Sequence, residues 1–210
     1  MATRTRRTGI ERRAEIAAAA LRLPGQGGLP AVSSAAIAAE VGVSPAALFR
    51  HYDDLPAILA AAVDLAVARL DGGFPAPDAP PIDRLRNLAA ARVSLLQDAP
   101  GIAWLLRSEQ AQAGLPPLAV EALRGAIGRS RAFIHAAIRD GIACGALRRD
   151  VSPRVLLTVF TATIHALVTR TGIAQLAAGR PDPDDVLPGL FTLLVTPVPP
   201  TSPAPPEPPR

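Results

Sequence analysis

SSAAIAAEVGVSPAALFRHY, residues 33–52, holds two short helical patterns joined by a tight turn. In the first, Ile37 and Val41 recur at a four-residue interval, with small alanines between them that permit close packing. Gly42 falls where a left-handed backbone would end a helix. Val43 gives one apolar anchor, Ser44 suits an N-cap, and Pro45 suits the first helical position, where its missing N–H is an orphan in any case. The second helix is expected over Ala46 to Tyr52, held to the first by Leu48 and Tyr52. The pattern is that of a helix-turn-helix, whose second helix enters a DNA major groove.

Charge agrees with a polyanionic partner for this part of the chain. All 22 basic residues are arginine, and the net charge is +4. From Met1 to Tyr52 there are seven arginines (4, 6, 7, 12, 13, 22, 50) against three glutamates (11, 15, 40), so the excess lies wholly in this segment. The 210 residues suffice for a sizeable core, 49% being hydrophobic and only 3% aromatic; much of that fraction is alanine, which fits packed helices better than sheets.

Enzyme constellations find little support. Three histidines (His51, His135, His165) and the single Cys144 cannot make a His/Cys zinc set at standard spacing. A chain without lysine has no Gly-x4-Gly-Lys phosphate loop, Gly25-Gln26-Gly27-Gly28 follows no strand, and no Gly-x-Ser-x-Gly elbow occurs. No cofactor is expected. Cys144 reads as a small buried hydrophobe, and His135, between Arg131 and Arg139, as part of a solvated basic face. Without a signal peptide or a long uncharged apolar stretch, the chain reads as cytoplasmic, with no membrane partner.

Working outward, residues 1–8 form a basic arm whose Arg4, Arg6 and Arg7 either touch phosphates and the minor groove or are simply solvated. A first helix is expected from about Gly9 to Leu23, with Ile10, Ile16, Ala17, Ala20 and Leu21 as its apolar stripe, and Ser33 caps the next. Asp53-Asp54 starts a helix apolar over a wide arc (Ile58 to Leu70), which suggests contact with elements on both sides. Residues 72–81, GGFPAPDAPP, are the linker between a segment 9–71 and a segment 82–195. Helices follow over about 82–97, 101–111, 117–143, 153–178 and 185–195, making about nine in an all-α chain. Residues 196–210, TPVPPTSPAPPEPPR, form a Pro-rich tail expected to be disordered.

Ile37-Ala38, Gly42-Val43-Ser44 and Leu48-Phe49-Arg50-His51-Tyr52, flanked by amphipathic helices, resemble the TetR family of one-component bacterial regulators. The motif-level likeness covers about Ile16 to Val63. The resemblance implies a three-helix DNA-binding head, a larger C-terminal helical ligand-binding and dimerisation body, and a homodimer that represses from a palindromic operator on double-stranded DNA until a small, hydrophobic effector binds. It implies DNA contacts from Ser33, Ser34, Ser44, Pro45, Ala46, Ala47, Phe49, Arg50, His51 and Tyr52, with His51 at the position of a phosphate-contacting histidine. Two departures weaken the likeness: Phe49 stands where the family usually has tyrosine, and Leu55 where it commonly has lysine.

By the same resemblance the last two helices pair with their copies, and Leu156, Phe160, Leu187, Leu190, Phe191 and Leu194 are the expected seam, the alternative being deep burial within one chain. The effector would lie in the C-terminal helices, where Trp104 and Arg107 stand one turn apart and Thr158, Thr161, His165 and Thr169 form a polar stripe. That stripe serves either a ligand or helix packing. A dimeric interaction or ligand-binding protein with weakened DNA binding is the competing class.

Overall fold

Thr8 opens the first helix with a capping box. Its hydroxyl accepts from the Glu11 amide at 3.3 Å, and the Glu11 carboxylate accepts from the Thr8 amide at 2.8 Å, so two of the donors that a helix start leaves bare are satisfied. The computed structural model describes residues 8–168 and 181–195. Among them no strand forms, and the expected all-α class holds, with eleven α-helical segments rather than about nine. Arg4, Arg6, Arg7, Thr169 and the tail 196–210 lie outside the described residues.

Helix α1 (Gly9–Arg22) buries Ile16, Ala17, Ala19, Ala20 and Leu21, whereas Ile10, assigned to its apolar stripe, is exposed ahead of the first packed turn. A short turn of helix, α2 (Pro24–Gly27), and a 3-10 turn over Leu29–Ala31 lead to α3 (Ser34–Val41) and α4 (Pro45–Leu48). Helix α5 (Leu55–Asp71) is capped by Asp54, whose carboxylate accepts from Ala57 at 2.8 Å. The expected wide apolar arc of α5 packs on α1 on one side and on α9 (Pro117–Ala143) on the other. Of the expected linker 72–81, residues 72–80 are non-helical and Pro81 already opens the next helix. They are docked, however: Phe74 lies 5.1 Å from the Phe133 ring of α9 and under the Arg92 guanidinium.

Beyond them come α6 (Pro81–Asp98), α7 (Pro100–Arg107), α8 (Glu109–Gly114), α9, α10 (Pro153–Val168) and α11 (Pro183–Leu194). The single helix expected over 101–111 is broken at Ser108, which is extended (φ −89°, ψ 123°) at the cap of α8, a position serine favours. Cys144, expected to be buried, is exposed at the end of α9. No helix among the described residues is long and apolar enough to cross a membrane.

The N-terminal helices meet the C-terminal ones through bare backbone. Helix α7 starts against α1 and α2, and a Cβ placed on Gly101 would stand 1.6 Å from the Leu21 carbonyl oxygen. A Cβ on Gly25 would stand 2.8 Å from the Gly101 nitrogen. Glycine is required on both sides for the helices to approach this closely.

The face of α10 and α11 differs from expectation. Leu156, Phe160, Leu190, Phe191 and Leu194 are buried within the one chain, with the Phe160 and Phe191 rings edge-to-face at 6.4 Å. Leu187 is half-buried in a groove with Arg86. The five buried residues belong to the core of the one chain rather than to an exposed face. The apolar side chains that α10 leaves uncovered are Val155 and Val159, with Ala162 and Ala166 on the same track, and α11 leaves Leu193 63% exposed.

Candidate functional site

The turn of the helix-turn-helix is built as its residues dictate. Ser33 caps α3, its hydroxyl accepting from Ala36 at 3.1 Å. Gly42 ends α3 in the left-handed region at φ 74°. The Val43 amide donates to Ala38 at 2.9 Å and that of Gly42 to Ala39 at 3.2 Å, the paired bonds of a Schellman ending. Pro45 stands in the first turn of α4. That helix is shorter than expected. It ends at Leu48, whose carbonyl accepts from both His51 and Tyr52, so Phe49, Arg50 and His51 sit on a turn.

Ser33, Ser44, Pro45, Ala46, Phe49 and Arg50 are exposed on this corner, and Ser34, Ala47 and His51 are half-buried. The Ser44 hydroxyl makes no capping bond. Tyr52 departs from its expected role as a DNA contact. It is buried, its hydroxyl donates to the Arg13 carbonyl at 3.0 Å, and the Arg13 guanidinium lies over its ring at 4.1 Å while donating to the His51 carbonyl. Burial, outweighing the opposing Arg13 charge, pushes its phenol above the usual range. Tyr52 therefore fixes the corner from behind. Tyr52→Phe is expected to cost about 1 kcal/mol, read as a fall of roughly 2–4 °C in Tm, with DNA affinity unchanged; lost affinity at unchanged Tm would return the hydroxyl to the binding face.

The charge excess is narrower in three dimensions than in sequence. Arg12 pairs with Glu15 at 2.9 Å, Arg22 with Glu40 at 2.9 Å, and Arg13 is held at Tyr52. Among the described residues of this segment, Arg50 is the arginine without a protein partner. Exposed pairs contribute little to stability, but here they neutralise arginines that the count had offered to a polyanion.

The expected effector residues divide between two pockets. Thr161 and His165 line a cavity of about 170 Å³ among α5, α6, α7, α9 and α10, together with Arg92, Ser130, Arg131 and the aliphatic Leu70, Leu96, Leu106, Ile127, Ile134 and Ile164. Trp104 and Arg107 line a separate pocket of about 180 Å³ with Gly25, Pro100 and Val168. The two sets are not one site. Arg107 is still close enough for its charge to reinforce desolvation in lowering the His165 pKa. Two threonines of the polar stripe of α10 are satisfied from within: Thr158 donates to Arg154 and Thr161 to Leu157 at 2.6 Å, as the neighbouring Thr163 does to Val159. No ligand or partner is needed to satisfy these hydroxyl protons.

Two buried arginines escaped sequence reading. Arg84 and Arg92 lie on the inner face of α6, in line with Leu88 and Leu96 at four-residue steps. That register was visible: a charge on an apolar track must be paired or functional. Arg84 reaches Asp140 at 2.7 Å. Arg92 donates to the Leu70 carbonyl at 2.7 Å and to Ser130 Oγ at 3.3 Å, and burial lowers its pKa.

The described residues thus set an exposed helix-turn-helix corner on a helical body that holds a cavity. Residues 16–62 match the family model described as bacterial regulatory proteins, tetR family. The ketosteroid transcriptional regulator KstR2 of Mycobacterium tuberculosis shares the fold with a TM-score of 0.72 at 16% identity, over 88% of this chain and 95% of that one. A structure of AibR in complex with isovaleryl coenzyme A and operator DNA aligns with a TM-score of 0.68 at 20% identity, over 89% of this chain and 100% of the other. The regulator FadR from Bacillus subtilis in complex with stearoyl-CoA aligns with a TM-score of 0.61 at 16% identity, over 87% and 97%. No curated protein matches the chain in sequence. The family match covers the helix-turn-helix segment, and the likeness of the remaining helices to these regulators is one of fold.

Proposed function

We propose that the protein is a homodimeric repressor that divides at residues 72–81 into a DNA-binding head and an effector-binding, dimerising body, and that releases its operator when a small molecule enters the α5–α10 cavity. The observation that carries this is the side-chain-free contact of Gly25 with Gly101. The helix-turn-helix and the cavity-bearing helices share one stiff joint, so a change in one biases the other. The relatives solved with acyl-CoA ligands and operator DNA support the pairing of the two sites. A cavity of about 170 Å³ is close to the engineered void that takes benzene, which favours a compact effector over a long acyl thioester.

The DNA contacts fall to Ser33, Ser44, Ala46, Phe49, Arg50 and His51, with the arm arginines Arg4, Arg6 and Arg7 adding phosphate contacts. Fluorescence anisotropy with the protein's own upstream region and a scrambled duplex, across a salt series, tests the reading. The expected result is tighter binding to the upstream duplex, with log affinity falling linearly in log salt. Equal, salt-insensitive binding to both would leave the interaction-protein reading, which Phe49, Leu55 and the internally paired arginines favour.

The dimer is expected to close over the outer track of α10. Val159→Glu places a charge in that seam and is expected to yield a folded monomer by light scattering. Phe191→Glu, by contrast, buries a charge beside Phe160 and should unfold the body. A Val159→Glu protein that stays dimeric would put the seam elsewhere.

A further inference from the structure

The cavity among α5, α6, α9 and α10 is aliphatic, but its polar groups share a bias. Arg92, Ser130, Arg131, Thr161 and His165 line it, and no carboxylate does. Arg92 is the deepest of these, only 6% exposed. Its guanidinium is clamped on three sides: by the Leu70 carbonyl in the last turn of α5, by Ser130 Oγ on α9, and by the Phe74 ring 5.0 Å away. The acid that acts on it, Asp71, gives both oxygens to Arg129 at 3.1 and 2.7 Å. A buried guanidinium without its own counter-ion is costly, and arginine stays charged at any ordinary pH. The partners that touch Arg92 are neutral, and the one acid that acts on its charge, Asp71, is shared with Arg129.

Resting on the reading of this cavity as the effector site, we propose that its ligand is a small monocarboxylate, a single ring or a short branched chain bearing one carboxyl group, with the carboxylate received by Arg92 and the hydrocarbon part by Leu96, Ile134 and Ile164. Arg131, exposed at the opening, adds positive potential along the entry and repels cations. The Ser130 hydroxyl, which accepts from Arg92, has its own proton to give to the second carboxylate oxygen, so the anion is held by a charged donor and a neutral one. The hydrocarbon walls select the rest of the ligand by shape. The carboxylate would share Arg92 with the carbonyl that ends α5, the helix packed on α1, so occupancy is felt at the base of the head.

Calorimetric titration of the full-length protein with benzoate, phenylacetate and cyclohexanecarboxylate, each matched with its uncharged amide, tests this. At least one acid is expected to bind and raise Tm, with its amide at least about thirtyfold weaker. Arg92→Gln should remove that preference for acid over amide. The comparison of acid with amide on the unaltered protein needs no variant, so it stands even if Arg92→Gln folds poorly. Amides binding as well as acids, acid binding unchanged in Arg92→Gln, or no binding by any of the acids would each overturn the proposal. Anisotropy on the same samples separates it from the regulator reading. Salt-dependent operator binding that persists while the acids fail sinks the carboxylate proposal alone, whereas salt-insensitive DNA binding sinks the regulator reading and leaves the titration to be judged on its own.

Discussion

Adding one methyl group at Gly101 is expected to cost on the order of 3 kcal/mol or more, an unusually large effect for a Gly→Ala change. The added carbon would sit 1.6 Å from the Leu21 carbonyl oxygen, a backbone atom that cannot rotate away. Relief requires α7 to slide along α1, and α1 is itself packed on α5. For a chain of this size the loss corresponds to a Tm lower by about 6 °C or more. An alternative relief, with the N-terminal helices lifting off α7, would appear as two separate melting transitions. Gly128→Ala is the control: the same change on α9, with nothing within 4 Å of the new atom, should stabilise by about 0.5–1 kcal/mol, because alanine favours helix. A Gly101→Ala protein melting with the parent would show that the backbone contact between α7 and α1 is absent in solution.

Reversing one exposed charge is expected to have the largest effect on DNA affinity. Arg50 is exposed and free of protein partners, so Arg50→Glu should leave stability within about 0.5 kcal/mol of the parent. Each lost contact costs roughly 1–3 kcal/mol. Over the two subunits of the proposed dimer, affinity should fall by about a hundredfold or more at low salt, with a shallower salt slope. His51→Ala should weaken all duplexes alike, as a phosphate contact does. Phe49→Tyr with Leu55→Lys should tighten binding without altering sequence preference; Phe49 is 44% exposed, so a phenol can be added there without repacking. Unchanged affinity in Arg50→Glu would remove the turn after α4 from the DNA surface.

Residues whose meaning is local could be read from the chain. Gly42 announces a left-handed ending, Asp54 a cap, and Pro117 the start of a helix that runs to Ala143. Meaning that depends on a partner element was lost. Both sides of α10 are apolar, so spacing alone could not say that Leu156 and Phe160 face inward while Val155 and Val159 face out. Tyr52 was a DNA contact by resemblance alone, and its packing on Arg13 shows why it is unavailable. Trp104, Arg107, Thr161 and His165 looked like one site because their spacings were helical, yet the helices carry them to two pockets. The buried Arg92 was legible in register and passed over, because twenty-one other arginines share the sequence with it.

The threonines of α10 give that helix a surface its composition hides. With each hydroxyl proton turned back onto the carbonyl four residues earlier, Thr158 and Thr163 present mainly methyl groups beside Val155, Val159, Ala162 and Ala166. Under the proposed dimer, a newly made chain carries a hydrocarbon strip that water wets poorly until a second chain covers it. Pairing then becomes a race against adhesion to other unfinished chains, decided by how much of the protein is present. Slow expression at low temperature should yield soluble protein, and a sudden surge of synthesis should yield aggregates whose sticking point is this strip.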